Sequence, residues 1–132
     1  MAETLSPEVR ALFEGKNFAH LSVNRKDGTI LSAVLWVHTD GDDLVVNSAE
    51  GRAWPAALRR EGGATLSIHN AENPYEFAAV TAKLTGDTHE GADDTIDALA
   101  KKYMDVDSYP FRQPGEQRIT FNLTPERVSY RG

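Results

Sequence analysis

Asn47-Ser48-Ala49-Glu50-Gly51-Arg52 is the segment whose residue types most plainly suit chemistry. It joins the short β-branched run Leu44 to Ser48 to a helical pattern over Glu50 to Glu61. A strand end running into a helix start leaves backbone N–H groups unpaired. Together with the Ser48 hydroxyl and the Arg52 guanidinium they suit a phosphate or a carboxylate. Arg59 follows Arg52 by two helical turns, so both can line one helix face. An ordinary capped helix with a solvated basic face explains the same residues. The residues alone leave both readings open.

Other chemistries are set aside by absence. Histidines stand at 20, 38, 69 and 89, with no helical i,i+4 pair and no metal-ligand spacing, and read as surface or strand-face residues. There is no G-x-S-x-G, no H-E-x-x-H, no G-x-G-x-x-G and no Walker sequence. Asp93, Asp94 and Asp97 fall at a helix start, where acidic residues favour the helix dipole rather than forming an acid/base pair. Cysteine is absent, which excludes disulfides and thiolate metal sites and is compatible with a cytoplasmic address. A formal charge of −6 argues against sequence-independent nucleic-acid binding, which rests on neutralising phosphates. No run of about 18 apolar residues is present, so no membrane-spanning helix is expected. Met1 to Phe13 lacks the basic start and apolar core of a signal peptide.

The elements that must position the segment read as one domain over residues 1–132. Ser6 caps a short amphipathic helix carrying Val9, Leu12 and Phe13. Phe18 to Asn24 alternates with period two and reads as a strand. Thr29 to Thr39 reads as a second strand, apolar on both faces and therefore covered on both, one cover being the barrel interior and the other a second subunit. Leu44 to Ser48 is the third strand. Pro55 is compatible with the following helix only in its first turn. Ala64 to Asn70 and Tyr75 to Thr88 are strands, Gly91 to Tyr103 is a helix, and Gln117 to Leu123 is the last strand. Tight links between strands imply antiparallel pairing. Six strands with short helices in this length imply a mainly β, closed or split barrel. So small a barrel cannot enclose a large site, which points to a groove or to a site between two copies.

Four segments in order carry a family resemblance: Phe18 to Ser22 with Asp27-Gly28; Leu31 to Val37 with Trp36; Val46 to Arg52 leading to Leu58-Arg59-Arg60; and Asn73-Pro74-Tyr75 through Ala98 to Tyr103 to Tyr109-Pro110-Phe111-Arg112. In these the chain resembles the flavin/deazaflavin oxidoreductase superfamily, the pyridoxamine 5'-phosphate oxidase-like split β-barrels, and within it the actinobacterial branch that uses coenzyme F420. The resemblance spans about residues 10 to 128 and implies a six-stranded antiparallel split barrel forming a homodimer, with a cofactor groove at each side of the interface. It implies a ring site near Ser32, Ala33 and Val34. It places the phosphate end at Asn47, Ser48, Ala49, Gly51 and Arg52, with Arg59 on the anionic tail. Tyr75 matches an aromatic contributed by the partner subunit, and Tyr109 to Arg112 is a candidate for closing the groove.

The chain departs from that pattern in one place. Members that bind F420 often carry a Lys two residues after the Gly-Arg arginine and Arg-Asn just before Leu-Arg-Arg; here these positions are Trp54, Ala56 and Ala57. Trp54 either stacks on a ring or packs on the barrel. The expected activity is hydride transfer from reduced F420 to an electron-poor small molecule, with the cofactor carrying the chemistry. The alternatives are an FMN-dependent oxidase or reductase of the same fold, and a non-catalytic F420- or flavin-binding protein. A haem-binding split barrel using His20, His38 or His69 is a more distant one.

Overall fold

The computed structural model describes residues 3–132; Met1 and Ala2, the start of the segment read for a leader, lie outside the described residues. Its elements are α1 (Pro7–Glu14), β1 (Ala19–Asn24), β2 (Ile30–Leu35), β3 (His38–Asp40), β4 (Asp43–Ala49), α2 (Ala53–Glu61), β5 (Gly63–Asn70), β6 (Asn73–Thr88), α3 (Ala92–Met104) and β7 (Arg118–Arg131). All strand pairs are antiparallel, in the order β2-β1-β5-β6-β7-β4-β3.

Hydrogen bonding leaves the sheet open at β2 and β3. Yet those two edges are consecutive in the chain, joined only by Trp36 and Val37. Three Cα–Cα steps of about 3.8 Å keep their ends within roughly 11 Å of each other. The sheet must therefore curl until its edges nearly meet, with a covalent bridge across the seam. Inward positions alternate as expected: Leu21, Leu66, Val80, Phe121 and Leu44 are fully buried in one core. α2 closes it with Trp54, Ala57 and Leu58, and α1 with Val9, Leu12 and Phe13.

The seven strands correct the sequence reading of six. The alternation expected over Thr29 to Thr39 holds only to Leu35. At Val37 the backbone N–H donates to the Tyr103 hydroxyl at 3.3 Å, and the carbonyl accepts from Lys102 Nζ at 2.6 Å. Side chains of α3 satisfy a residue that a strand neighbour would otherwise pair, so the strand breaks there. The helix expected from Glu50 starts at Ala53, because Gly51 has φ +94° and Arg52 is extended. Pro55 falls in the first turn, where its missing N–H costs nothing. The last strand runs past Leu123 to Arg131. Pro125 does not end it, because it sits opposite Ala82 at a register shift, where no ladder donor is required.

Candidate functional site

A groove of about 240 Å³ opens beside the seam, between the β2 edge, the start of α2 and the face of α3. Its walls are aromatic: Phe18, Trp36, Trp54, Tyr109 and Phe111, with Ile96 and Leu99 behind them. Trp36 stacks nearly parallel on Tyr103 with ring centres 5.4 Å apart, and Tyr109 meets Trp36 edge-on at 6.1 Å. Trp54 packs against Phe121 at 5.7 Å, so it belongs to the core and to the groove wall at once. Val34, 63% exposed, forms the open lip.

Two guanidiniums line the groove. Arg52 is the N-cap of α2 and makes no side-chain cap; its head group is half exposed, 3.9 Å from Glu116. By position the amides of Arg52, Ala53 and Trp54 lack helical partners, and Pro55 has none to offer. No acidic residue sits in this first turn. Arg118 is buried. Its Nε and Nη2 donate to Asn47 Oδ1 at 3.0 and 2.8 Å, Nη1 donates to Glu116 at 3.0 Å, and the plane lies 5.0 Å from the Tyr109 ring centre. Asn47 spends its amide hydrogens on Ala92 O and Thr120 Oγ1, at 2.9 and 3.0 Å. This polar network lies on the outward face of β4 and β7, where α3 covers it.

Of the residues singled out from the sequence, Val34, Asn47, Arg52 and Trp54 meet in this groove. Ser32 points outward, 3.4 Å from the Ser22 hydroxyl, while Ala33 packs inward on the core. Ser48 shares the inward face of β4 with Val46; it is fully buried and its hydroxyl has no hydrogen-bond partner among the described residues. Ala49 is buried beside it and Gly51 is exposed. Arg59 does not reach the groove. It forks onto Glu50 at 2.8 and 2.9 Å, reaches Asp87 at 3.1 Å and lies over Phe121. Hydrogen bonds from Arg59 and then His89 hold the Glu50 carboxyl down at about 2. Arg112 pairs with Asp93 and Asp97 at 2.8 and 2.6 Å, which ties the Tyr109–Phe111 wall to α3. Tyr75 stands at the β5–β6 hairpin, 84% exposed and outside this chain's groove lining.

Sequence reasoning missed Arg118, Glu116 and the Trp36–Tyr103 stack. The period-two run Arg118, Thr120, Asn122 opposite Asn47 was the available signal. Among the described residues no group of three metal-ligating side chains occurs. His38 has a buried, unpartnered Nε2, and burial followed by Lys102 lowers its pKa.

The chain has the split-barrel fold of the pyridoxamine 5'-phosphate oxidase-like proteins. An F420 reductase superposes with a TM-score of 0.80 at 20% identity, over 91% of this chain and 94% of that one. A pyridoxamine 5'-phosphate oxidase-like protein from Listeria innocua gives 0.68 at 16% identity, over 91% and 92%. General Stress Protein 26 from Bacillus anthracis gives 0.70 at 11% identity, over 94% and 91%. No protein-family model and no curated protein sequence matches the chain. No helix among the described residues is long and apolar enough to cross a membrane.

Proposed function

We propose that the aromatic groove binds a flavin-type cofactor and that the protein is an oxidoreductase working as a homodimer. The observation that carries this is the groove's two-part character. An aromatic cleft lined by Trp36, Trp54 and Tyr109 suits a planar ring, and Arg52 at the uncapped start of α2, in the same lining, suits an anion. When bound, such a cofactor supplies the hydride chemistry. The chain's own work is to wall the ring with indoles and a phenol, to fix its anionic end at Arg52, and to exclude water.

The second copy follows from what one chain leaves open. A volume of about 240 Å³ lies below the roughly 300–1,000 Å³ of sites that bury a ligand of this size. The lip at Val34 continues onto an outward face where Ile30 is 64% and Phe77 41% exposed. Covering that face would complete the groove and bury those side chains. It would also give the partner subunit's Tyr75 a place at the ring.

Two cofactors compete for the slot. F420, with hydride transfer to an electron-poor acceptor, is favoured by the sequence resemblance and by the likeness to an F420 reductase. FMN is favoured by the pairing of the surrounding arginines with carboxylates. The test is a fluorescence titration of purified protein with F420 and with FMN. It is followed by anaerobic oxidation of whichever reduced cofactor binds, in the presence of a quinone or nitroaromatic acceptor. Binding with turnover supports the oxidoreductase reading, binding without turnover supports a carrier, and failure to bind either cofactor sinks both.

A further inference from the structure

The arginines around the groove are already answered from within the chain. Arg59 is held by Glu50 and Asp87, and Arg112 by Asp93 and Asp97. Arg118 and Arg52 share Glu116, whose side chain is only 6% exposed and lies 3.0 Å from one and 3.9 Å from the other. Four guanidiniums thus face five carboxylates. No positive basin surrounds the anionic end of the site.

A second copy on the outward face would not supply one from these strands. The outward positions of β1, β2 and β5 are His20, Ser22, Asn24, Ile30, Ser32, Val34, Thr65, Ser67 and His69, none of them Lys or Arg; the outward Lys83 of β6 stands four residues along its strand from Ala79, which is in line with Val34. On α3, Lys102 turns away, donating to the carbonyls of Phe13 and Val37.

Resting on the reading of the groove as a flavin-type site, we infer that it selects a ligand with a single phosphate over one whose tail adds carboxylates. Glu116 is the residue that sets this preference. Buried behind the groove lining, 3.0 Å from Arg118 and 3.9 Å from Arg52, its carboxylate cancels the pull these two arginines would exert on a second ligand anion. One phosphate can still take the exposed side of Arg52 and the amides at the start of α2. Each further anion meets a compensated field, with the half-buried Glu50 carboxylate, held by Arg59 and His89, on the loop beside it.

The test is a set of titrations with riboflavin, FMN and F420 at several salt concentrations. The wild-type protein should bind FMN at least tenfold more tightly than F420, and the F420 affinity should depend only weakly on salt. In Glu116→Gln, which keeps an acceptor for Arg118, both anionic ligands should gain, and the ratio of F420 to FMN affinity should rise roughly tenfold, the effect expected of one charge removed at about 10 Å from the added carboxylates in a partly wet site. Riboflavin, which has no anion, should not change. Glu50→Gln, on the half-buried loop before α2, should act in the same direction by a smaller factor, and it decides the matter if Glu116→Gln does not fold. Tighter binding of F420 than of FMN by the wild type overturns the selection while leaving the groove reading intact. A riboflavin change as large as the F420 change shows that Glu116 merely shapes the ring site, and overturns its role. Failure of all three ligands to bind removes the groove reading and this inference together.

Discussion

The sheet has two outward regions, and they are finished in opposite ways. Over β4 and β7 the outward face carries the polar side chains Asn47, Arg118 and Thr120, buried under α3. Asn47, Arg118 and Thr120 satisfy one another at 2.8–3.0 Å, and Glu116 takes the remaining charge. Over β1, β2 and β5 the outward side chains are Ile30 and Val34 among serines, a threonine, an asparagine and two histidines, with no Lys, Arg, Asp or Glu, and no element among the described residues covers them. Polar groups are closed internally because an unpaired buried guanidinium costs several kcal/mol. Apolar groups can stay open, because a second surface satisfies them without geometric precision. The groove lies at the boundary, its closed wall from the first region and its open lip from the second.

The largest effect should come from opening the closed region. Asn47→Ala removes the single oxygen, Oδ1, that accepts both bonds of the Arg118 fork, together with two donated N–H bonds, leaving a buried charge under-satisfied. It should cost about 3 kcal/mol of stability, read from urea unfolding. An unchanged midpoint would show that the network is dispensable. Next comes poisoning of the open region. Ile30→Asp should weaken self-association by roughly thirtyfold in sedimentation equilibrium, while the fold of each chain moves by less than about 0.5 kcal/mol. A chain that is monomeric before substitution would end the account of that face.

The two regions meet at Arg52. Arg52→Ala should weaken FMN binding roughly tenfold without changing stability, since its head group has one distant internal partner. The smallest effect concerns pH. Glu50 is held at about 2 against an ordinary value of 4.5, so its contribution is complete above pH 4.5 and is lost as pH falls from 4.5 towards 2. Solvent screening keeps it under about 1 kcal/mol. The difference in stability between wild type and Glu50→Gln should therefore be constant at neutral pH and vanish near pH 2, as followed by thermal melts.

Local pattern carried much of this in advance. The inward stripes of β1, β4 and β7, the cap at Ser6 and the turn after Ala49 are all periodicity and turn chemistry within a few residues. The break at Val37 was hidden because its cause, Tyr103, lies 66 residues away. Arg118 was hidden likewise: a cation at a strand start reads as exposed until Asn47, 71 residues away, and the cover of α3 are known. Arg52 and Arg59 looked equivalent from their spacing. They differ because Glu50 and Asp87 engage one of them, and Asp87 comes from the far end of β6. Long-range partners, not propensities, decide which charges a ligand can use.

The central claim is that the groove is a flavin-type site completed by a second copy. Its most direct test is an FMN fluorescence titration of wild type and Ile30→Asp side by side, at concentrations where the first is dimeric and the second monomeric. Ile30 does not line the groove, so the substitution leaves the slot itself intact. The expected result is one FMN per chain in the dimer and affinity at least tenfold weaker in the monomeric variant. Equal affinity in both would show a site complete within one chain, and would contradict the account.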